Sequence, residues 1–200
     1  MHISEGILSP PVLLVGGVVS LLGVAWGLRH LSPRRLPEVA LFTSAFFVAS
    51  LIHLPLGPSS VHLLLNGLVG LLLGPVVFPA FLVALFLQAL LFQFGGLTTL
   101  GVNTMNMALP ALGVYFIFRP FWRRFPRQAF LWAALAGALA VFASGVLAAL
   151  ELFFSGEGFS TAAKIVLWAH LPLMGLEALV TGIIVRFLQR VRPEILFKEA

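Results

Sequence analysis

The residues with the most pointed chemistry sit at the start of the chain. Met1 and His2 place an α-amine, an amide nitrogen and an imidazole in succession. On one metal ion these donors close a five-membered and then a six-membered chelate ring, provided the amide gives up its proton. A planar, all-nitrogen set favours Ni(II) or Cu(II). One further nitrogen would complete the square, and His62 is the best candidate: it follows the turn Gly57-Pro58-Ser59-Ser60 and opens a predicted third helix. The alternative for His62 is an interfacial histidine satisfied by water. His53 lies near the same turn and is a weaker candidate, whose place at the end of helix two also fits a water boundary. His30 adjoins Arg29 and receives no metal role. Alone, the Met1-His2 dipeptide fits an ordinary exposed terminus better, so the metal reading needs the other donors. Met1 is expected to stay on the chain, because the aminopeptidases that remove it need a small second residue.

Three further groups could do chemistry. His170 and Glu177 are seven residues apart, roughly on one helical face and deep in an apolar run. They read either as a polar relay or ion path, or as buried structural hydrogen-bonding groups. Glu151 falls at the end of helix six, where exposure to water is the simpler expectation. The stretch Gly95-Gly96-Leu97-Thr98-Thr99-Leu100-Gly101-Val102-Asn103 supplies irregular backbone with polar side chains. Such backbone survives near membrane depth only if buried in protein or lining a cavity. Thr98, Thr99 and Asn103 could then orient a ligated imidazole; an ordinary external turn is the alternative. Glu5 is the one carboxylate near Met1-His2 in sequence.

These residues need a scaffold, and composition says which kind. The 200 residues are 60% hydrophobic and 10% charged, with a mean hydropathy of +1.07. A soluble domain of this size needs far more charge, whereas a bilayer needs long apolar runs with charges at their ends. The expectation is an all-α polytopic transmembrane bundle of about seven helices and one domain over 1–200. It divides into an external N-terminus (1–9), helices (10–189) and a cytoplasmic tail (190–200). The predicted helices run from about Pro10 to His30, Glu38 to Leu54, Ser59 to Leu73, Pro75 to Phe94, Val102 to Phe118, Gln128 to Phe154 and Ser160 to Gln189, with Pro and Gly at the joints.

Charge placement fixes the expected orientation. Arg29, Arg34 and Arg35, then Arg119, Arg123, Arg124 and Arg127, then Arg186, Arg190, Arg192 and Lys198 fall on one side of a seven-helix arrangement. By the positive-inside rule that side is cytoplasmic. Lys164 alone falls opposite, and six or eight helices would split the basic groups. The pI near 11 therefore reflects topology rather than nucleic-acid binding. Small residues on helix six (Ala133, Ala134, Ala136, Gly137, Ala138, Ala140) and Ala45 and Ala49 on helix two fit close packing within the chain, or a docking face for another membrane subunit.

Absences narrow the chemistry. With no cysteine, disulfides, thiolate metal sites and cysteine nucleophiles are excluded. There is no G-x-x-x-x-G-K-[ST] phosphate loop, no H-E-x-x-H and no aspartate. These argue against ATP hydrolysis by that route, an intramembrane zinc protease of the usual signature and many ion-coupled carriers.

Taken together, the opening Met1-His2-Ile3-Ser4-Glu5-Gly6, the Ser-Ser-Val-His element ending at His62, QALLFQFGGLTTLGVNTMNM from Gln88 to Met107, and His170-Leu171-Pro172 with Glu177 and Arg190-Val191-Arg192-Pro193-Glu194 resemble the CbiM/NikM family. These are the substrate-binding membrane subunits of energy-coupling-factor cobalt and nickel transporters. The resemblance spans nearly the whole chain. It implies Ni(II) or Co(II) as transported substrate, no organic cofactor, and ligation by the Met1 amine, the His2 amide and imidazole, and His62. It further implies a transmembrane coupling subunit, a cytoplasmic ATPase pair, often a small accessory membrane subunit, and residence in a bacterial or archaeal cell membrane. Two stretches depart from the commonest pattern. Leu63-Leu64-Leu65-Asn66-Gly67 replaces a Thr-Gly-rich stretch, and Phe94 takes a position often held by histidine. Two other classes compete: a passive or ion-coupled channel or carrier working without an ATPase, and an intramembrane enzyme with a histidine-bound metal.

Overall fold

The computed structural model describes the backbone of residues 3–56 and 59–197. Its elements are α1 (Pro10–Arg29), α2 (Leu36–Ala49), a hairpin of β1 (His53–Leu56) and β2 (Ser59–His62), α3 (Asn66–Leu73), α4 (Val77–Phe92), α5 (Leu100–Arg124), α6 (Ala129–Ser155), α7 (Ser160–Val191) and the short α8 (Pro193–Phe197). The all-α class holds, with seven main helices.

Helix starts and stops follow local chemistry. Pro10 opens α1, where its missing N–H costs nothing, and Arg29 ends it, where a cation suits the helix dipole. At Gly74 (φ 58°, ψ −133°) the chain takes a path that a side chain would resist, and it reverses there from α3 into α4.

The residues between α2 and α3 correct the expected third helix. That helix does not run from Ser59; it starts at Asn66, and α2 ends at Ala49 rather than near Leu54. The segment between them pairs as antiparallel strands, with His53 opposite His62 and Leu56 opposite Ser59. Pro55 lacks the N–H a helix needs, which bars helix through the first strand, and the left-handed backbone of Leu65 (φ 49°) separates the second strand from α3. His62 therefore closes a strand and does not open a helix.

Contacts define two ends of the bundle. At one, the N–H of Ser9 donates to Ser155 Oγ at 3.1 Å, and residues 3–5 lie on the start of α5. At the other, Gly27 abuts Pro75 and Pro79, and Gln189 Nε2 donates to the Pro126 carbonyl at 2.8 Å. The connections at 30–35, 74–76 and 125–128 gather at this second end together with the arginine-rich helix termini, so the start and finish of the helical bundle lie at opposite ends.

Five stretches are long and apolar enough to cross a membrane by length and composition: Pro10–Arg29, Asn66–Phe92, Leu100–Trp122, Pro126–Ser155 and Glu157–Val191. Leu14, Leu21, Leu22, Phe154 and Trp168 project outward from them, as lipid-facing side chains do. With 14 residues, α2 falls short of the roughly 20 a span needs.

All eight residues of α3 are buried. It sits between α5 and α6, and two glycines set the approach. A Cβ at Gly67 would lie 2.7 Å from the Gly137 Cα of α6, and one at Gly70 would meet the Ala111 backbone of α5. Small residues allow such crossings where lipid gives no hydrophobic drive. Ala133, Ala136, Gly137 and Ala140 are likewise buried inside the chain, so that part of the stripe serves internal packing, while Ala134 and Ala138 are half-buried and Ala45 is exposed.

Candidate metal centre

Because α5 starts at Leu100, Asn103 sits in its first turn and faces the incoming N-terminal segment. Asn103 is 2% exposed. Its Oδ1 accepts the Ile3 N–H at 2.9 Å, and its Nδ2 donates to the Ile3 carbonyl at 3.1 Å and to Thr99 Oγ1 at 3.2 Å. One amide thus satisfies both backbone groups of Ile3, mimicking a strand partner. Thr99, 1% exposed, donates in turn to the Gly96 carbonyl at 3.3 Å.

Glu5 makes the second attachment. Its Oε1 accepts the Thr98 N–H at 3.1 Å, and its side chain lies directly over Gly96, where any Cβ would strike it. The glycine is required for this close approach. Ile3 and Leu8 are buried beside Val102, Ala148, Leu152 and Ala163. The Gly-Gly-Leu-Thr-Thr stretch and α5 therefore form a receptor for residues 3–9, which is more specific than an external turn.

Met1 and His2 lie outside the described residues. Their point of departure is nevertheless set, because Ile3 is held at both backbone groups. Among the described residues, no three His or Glu side chains come together as a metal-holding group.

The second arm comes from the hairpin. His62 is half-buried, and its Nδ1 lies 3.2 Å from the Leu63 carbonyl. The register sets the His53 backbone opposite it. Beyond His62, Leu64 and Leu65 lead into α3 through a left-handed turn, with Leu65 at φ 49°. Asn66 is fully buried; its Nδ2 donates to Ser144 Oγ at 2.8 Å, and Ser144 Oγ donates to the Asn106 carbonyl at 2.7 Å. Asn103 and Asn106 are three residues apart on α5, an axial rise of about 4.5 Å. One helical turn of α5 therefore serves both the N-terminal arm and the His62 arm.

Asn66, Asn106 and Ser144 were not singled out from sequence. The available signal was polar residues inside strongly apolar spans.

The other polar residues sort differently. Glu177, fully buried on α7, accepts the backbone N–H groups of Leu64 and Leu65. His170 Nδ1 lies 2.6 Å from the Val166 carbonyl, and its ring packs against Gly145. The two have different partners here. Glu151 corrects the expectation of exposure: it is 6% exposed, and its Oε2 accepts Asn106 Nδ2 at 2.6 Å. Its side chain forms part of the wall of a cavity of about 400 Å³ with Ser9, Val12 and Met105. His30 is at the far end, edge-on to Trp26. Phe94 packs against Phe92, with ring centroids 5.7 Å apart.

Comparison with known proteins agrees with this architecture. A family described as "Cobalt uptake substrate-specific transmembrane region" matches residues 2–195. A putative metal transport protein of Haemophilus influenzae is 43% identical, with 98% of this chain and 97% of that protein aligned. A fused nickel transport protein, NikMN, of Rhodobacter capsulatus is 34% identical over 98% of this chain and 64% of its own length. A crystal structure of a truncated transition metal transporter superposes with a TM-score of 0.76 at 25% identity, covering 96% of this chain and 99% of that one.

Proposed function

The chain belongs to the CbiM family, and on that premise we propose that it is the ion-capturing subunit of an ATP-driven importer that holds Ni(II) or Co(II) at the glycine-loop end of the bundle. It is a multi-pass membrane transport component rather than an enzyme, and cobalt or nickel is the family's transported substrate. The observation that carries the finer reading is the convergence of the two arms on one turn of α5. Asn103 holds the backbone leading to Met1 and His2, while Asn106, through Ser144 and Asn66, holds the segment after His62.

In this reading the Met1 amine, the deprotonated His2 amide and both imidazoles bind the ion as four nitrogens. The hydrogen bonds of Asn103, Thr99 and Glu5 fix the terminus; His53 borders the site through the hairpin register. Fixing in advance the segment that carries Met1 and His2 raises its affinity for the ion. Residues 1–9 form the external arm, 10–189 the bundle and 190–200 the cytoplasmic tail.

The same reading assigns partners. The chain spans about two thirds of the fused nickel transport relative, so in that protein a further segment is covalently attached. We assign this chain a transmembrane coupling subunit, a cytoplasmic ATPase pair and a small accessory membrane subunit, since its own sequence carries no phosphate loop.

Titration of the purified chain in detergent with Ni(II), Co(II) and Cu(II), following absorption, tests the site. Nitrogen-bound planar Ni(II) gives a yellow d–d band. Adding one or two residues before Met1, or His62→Ala, is expected to abolish tight binding; His30→Ala is expected to leave it intact. Unchanged binding by the extended chain would remove the terminal amine from the ligand set. Uptake that persists without any ATPase would favour a channel or carrier.

A further inference from the structure

Glu177 is a carboxyl group with no exposure, in the middle of a membrane-spanning helix and without a cationic partner among the described residues. Such a group is costly to bury, and its partners say what it does there. Leu64 and Leu65 both donate their backbone N–H groups to Oε1, the latter at 2.9 Å, and Leu65 also reaches Oε2 at 3.1 Å. These are the second and third residues after His62. The turn they form is one the backbone resists: Leu65 occupies the left-handed region, which costs a non-glycine residue of order 1–3 kcal/mol. Leu65 has no polar side chain to close the start of α3, where Asn66 Oδ1 accepts the Gly67 N–H at 2.9 Å. The carboxyl of Glu177, from another helix, takes the two N–H groups just before that first turn.

The location of Glu177 is itself rigid. A Cβ at Gly137 would lie 2.9 Å from the Glu177 carbonyl oxygen and 2.7 Å from Thr181 Oγ1, and one at Gly67 would lie 2.7 Å from the Gly137 Cα. Three backbones, α3, α6 and α7, meet here with no slack.

We propose that Glu177 is the positioning residue for the His62 arm: its carboxyl holds the Leu64–Leu65 turn so that His62 is delivered to the ion, and α7 thereby couples to metal retention. A shift of α7 away from α3 withdraws both acceptors at once, frees the turn and lets His62 leave. The proposal rests on His62 being a ligand, as proposed above.

Two substitutions separate reach from charge. Glu177→Gln keeps the reach but not the charge, and one carbonyl oxygen suffices because both N–H groups already reach Oε1. Glu177→Asp keeps the charge but is shorter by one methylene. Each is made in the full chain, in detergent, and titrated with Ni(II) beside the wild type and His62→Ala. In parallel, Leu63→Cys carries a nitroxide spin label, which is specific because the chain has no other cysteine; its line shape reports the turn without metal. The expected order is wild type, then Glu177→Gln within a few-fold, then Glu177→Asp weaker by about 10–100-fold, with the nitroxide line sharpening in the same order. Binding and line shape unchanged in Glu177→Asp would overturn the proposal, as would Glu177→Gln weaker than Glu177→Asp. If His62→Ala binds like the wild type, the ligand assignment fails, whereas the metal-free line shape still ranks the clamp by itself.

Discussion

Asn103 holds Ile3 by both of its backbone groups, and no hydrophobic or charged side chain could replace that pairing. Asn103→Leu, similar in size, leaves a buried N–H and C=O without partners, at a cost of about 1–3 kcal/mol each where water cannot enter. The terminus then leaves its seat before the fold is affected. The expected result is Ni(II) affinity lower by about 10–100-fold, as for other groups that orient metal ligands. Thermal unfolding should shift less, because Ile3 belongs to the smaller of the two cores. Asn103→Asp can still accept from Ile3 but cannot donate to its carbonyl or to Thr99, so it is expected to fall between. A titration of the three proteins under one condition checks this; equal affinities would separate the terminus from the site.

At the scale of elements, α3 is the part that least resembles an ordinary membrane span. It is eight residues long, buried on every face, and seated by glycine contacts to α5 and α6. Gly67→Val pushes it off α6 and is expected to cost about 1–3 kcal/mol through overpacking. Because His62 and Glu177 flank this element, affinity should fall with stability. Gly175→Ala is the control: beyond its own turn of helix nothing lies within 4 Å of its new Cβ, and it is expected to gain a little, about 0.5–1 kcal/mol, from helix propensity. A melting curve of each protein in detergent reads the pair. A Gly67→Val protein as stable as the wild type would show that α3 is not packed this tightly.

For the whole molecule, the fold decides which residues share an end, and the bilayer decides which end faces the cytoplasm. Arginines cluster at the end holding the 30–35 and 125–128 connections, and the two arms proposed to hold the ion lie at the other. By the positive-inside rule the arginine end is expected to face the cytoplasm. Glu157→Cys is therefore expected to react with a membrane-impermeant maleimide on intact cells, and Arg127→Cys only after permeabilisation. Both positions are exposed, so reactivity reports side rather than burial. The reverse pattern would invert the orientation and make capture cytoplasmic.

Much of this was legible from the chain alone, for a definite reason. Hydropathy, prolines and basic residues act locally and with a fixed sign, so the helical bundle, its seven helices and the clustering of arginines followed from composition and spacing. The glycine loop and Asn103 stood out because polar and irregular stretches are rare in such a background. What needed three dimensions was every relation between distant segments. Nothing near Glu177 in sequence points to Leu64 and Leu65, more than 110 residues away; their bonds exist because α3, α6 and α7 meet at two glycines. Glu151 looked solvated at its helix end, yet it is buried and paired with Asn106 of α5. The stretch before α3 read as the opening of a helix, and its cross-strand pairing with residues 53–56 made it half of a hairpin instead. Sequence determined which residues could bind an ion and that a membrane must surround them. Only the tertiary structure decided which backbone each buried polar group would hold, because in an apolar interior such a group takes whatever partner the packing brings within reach.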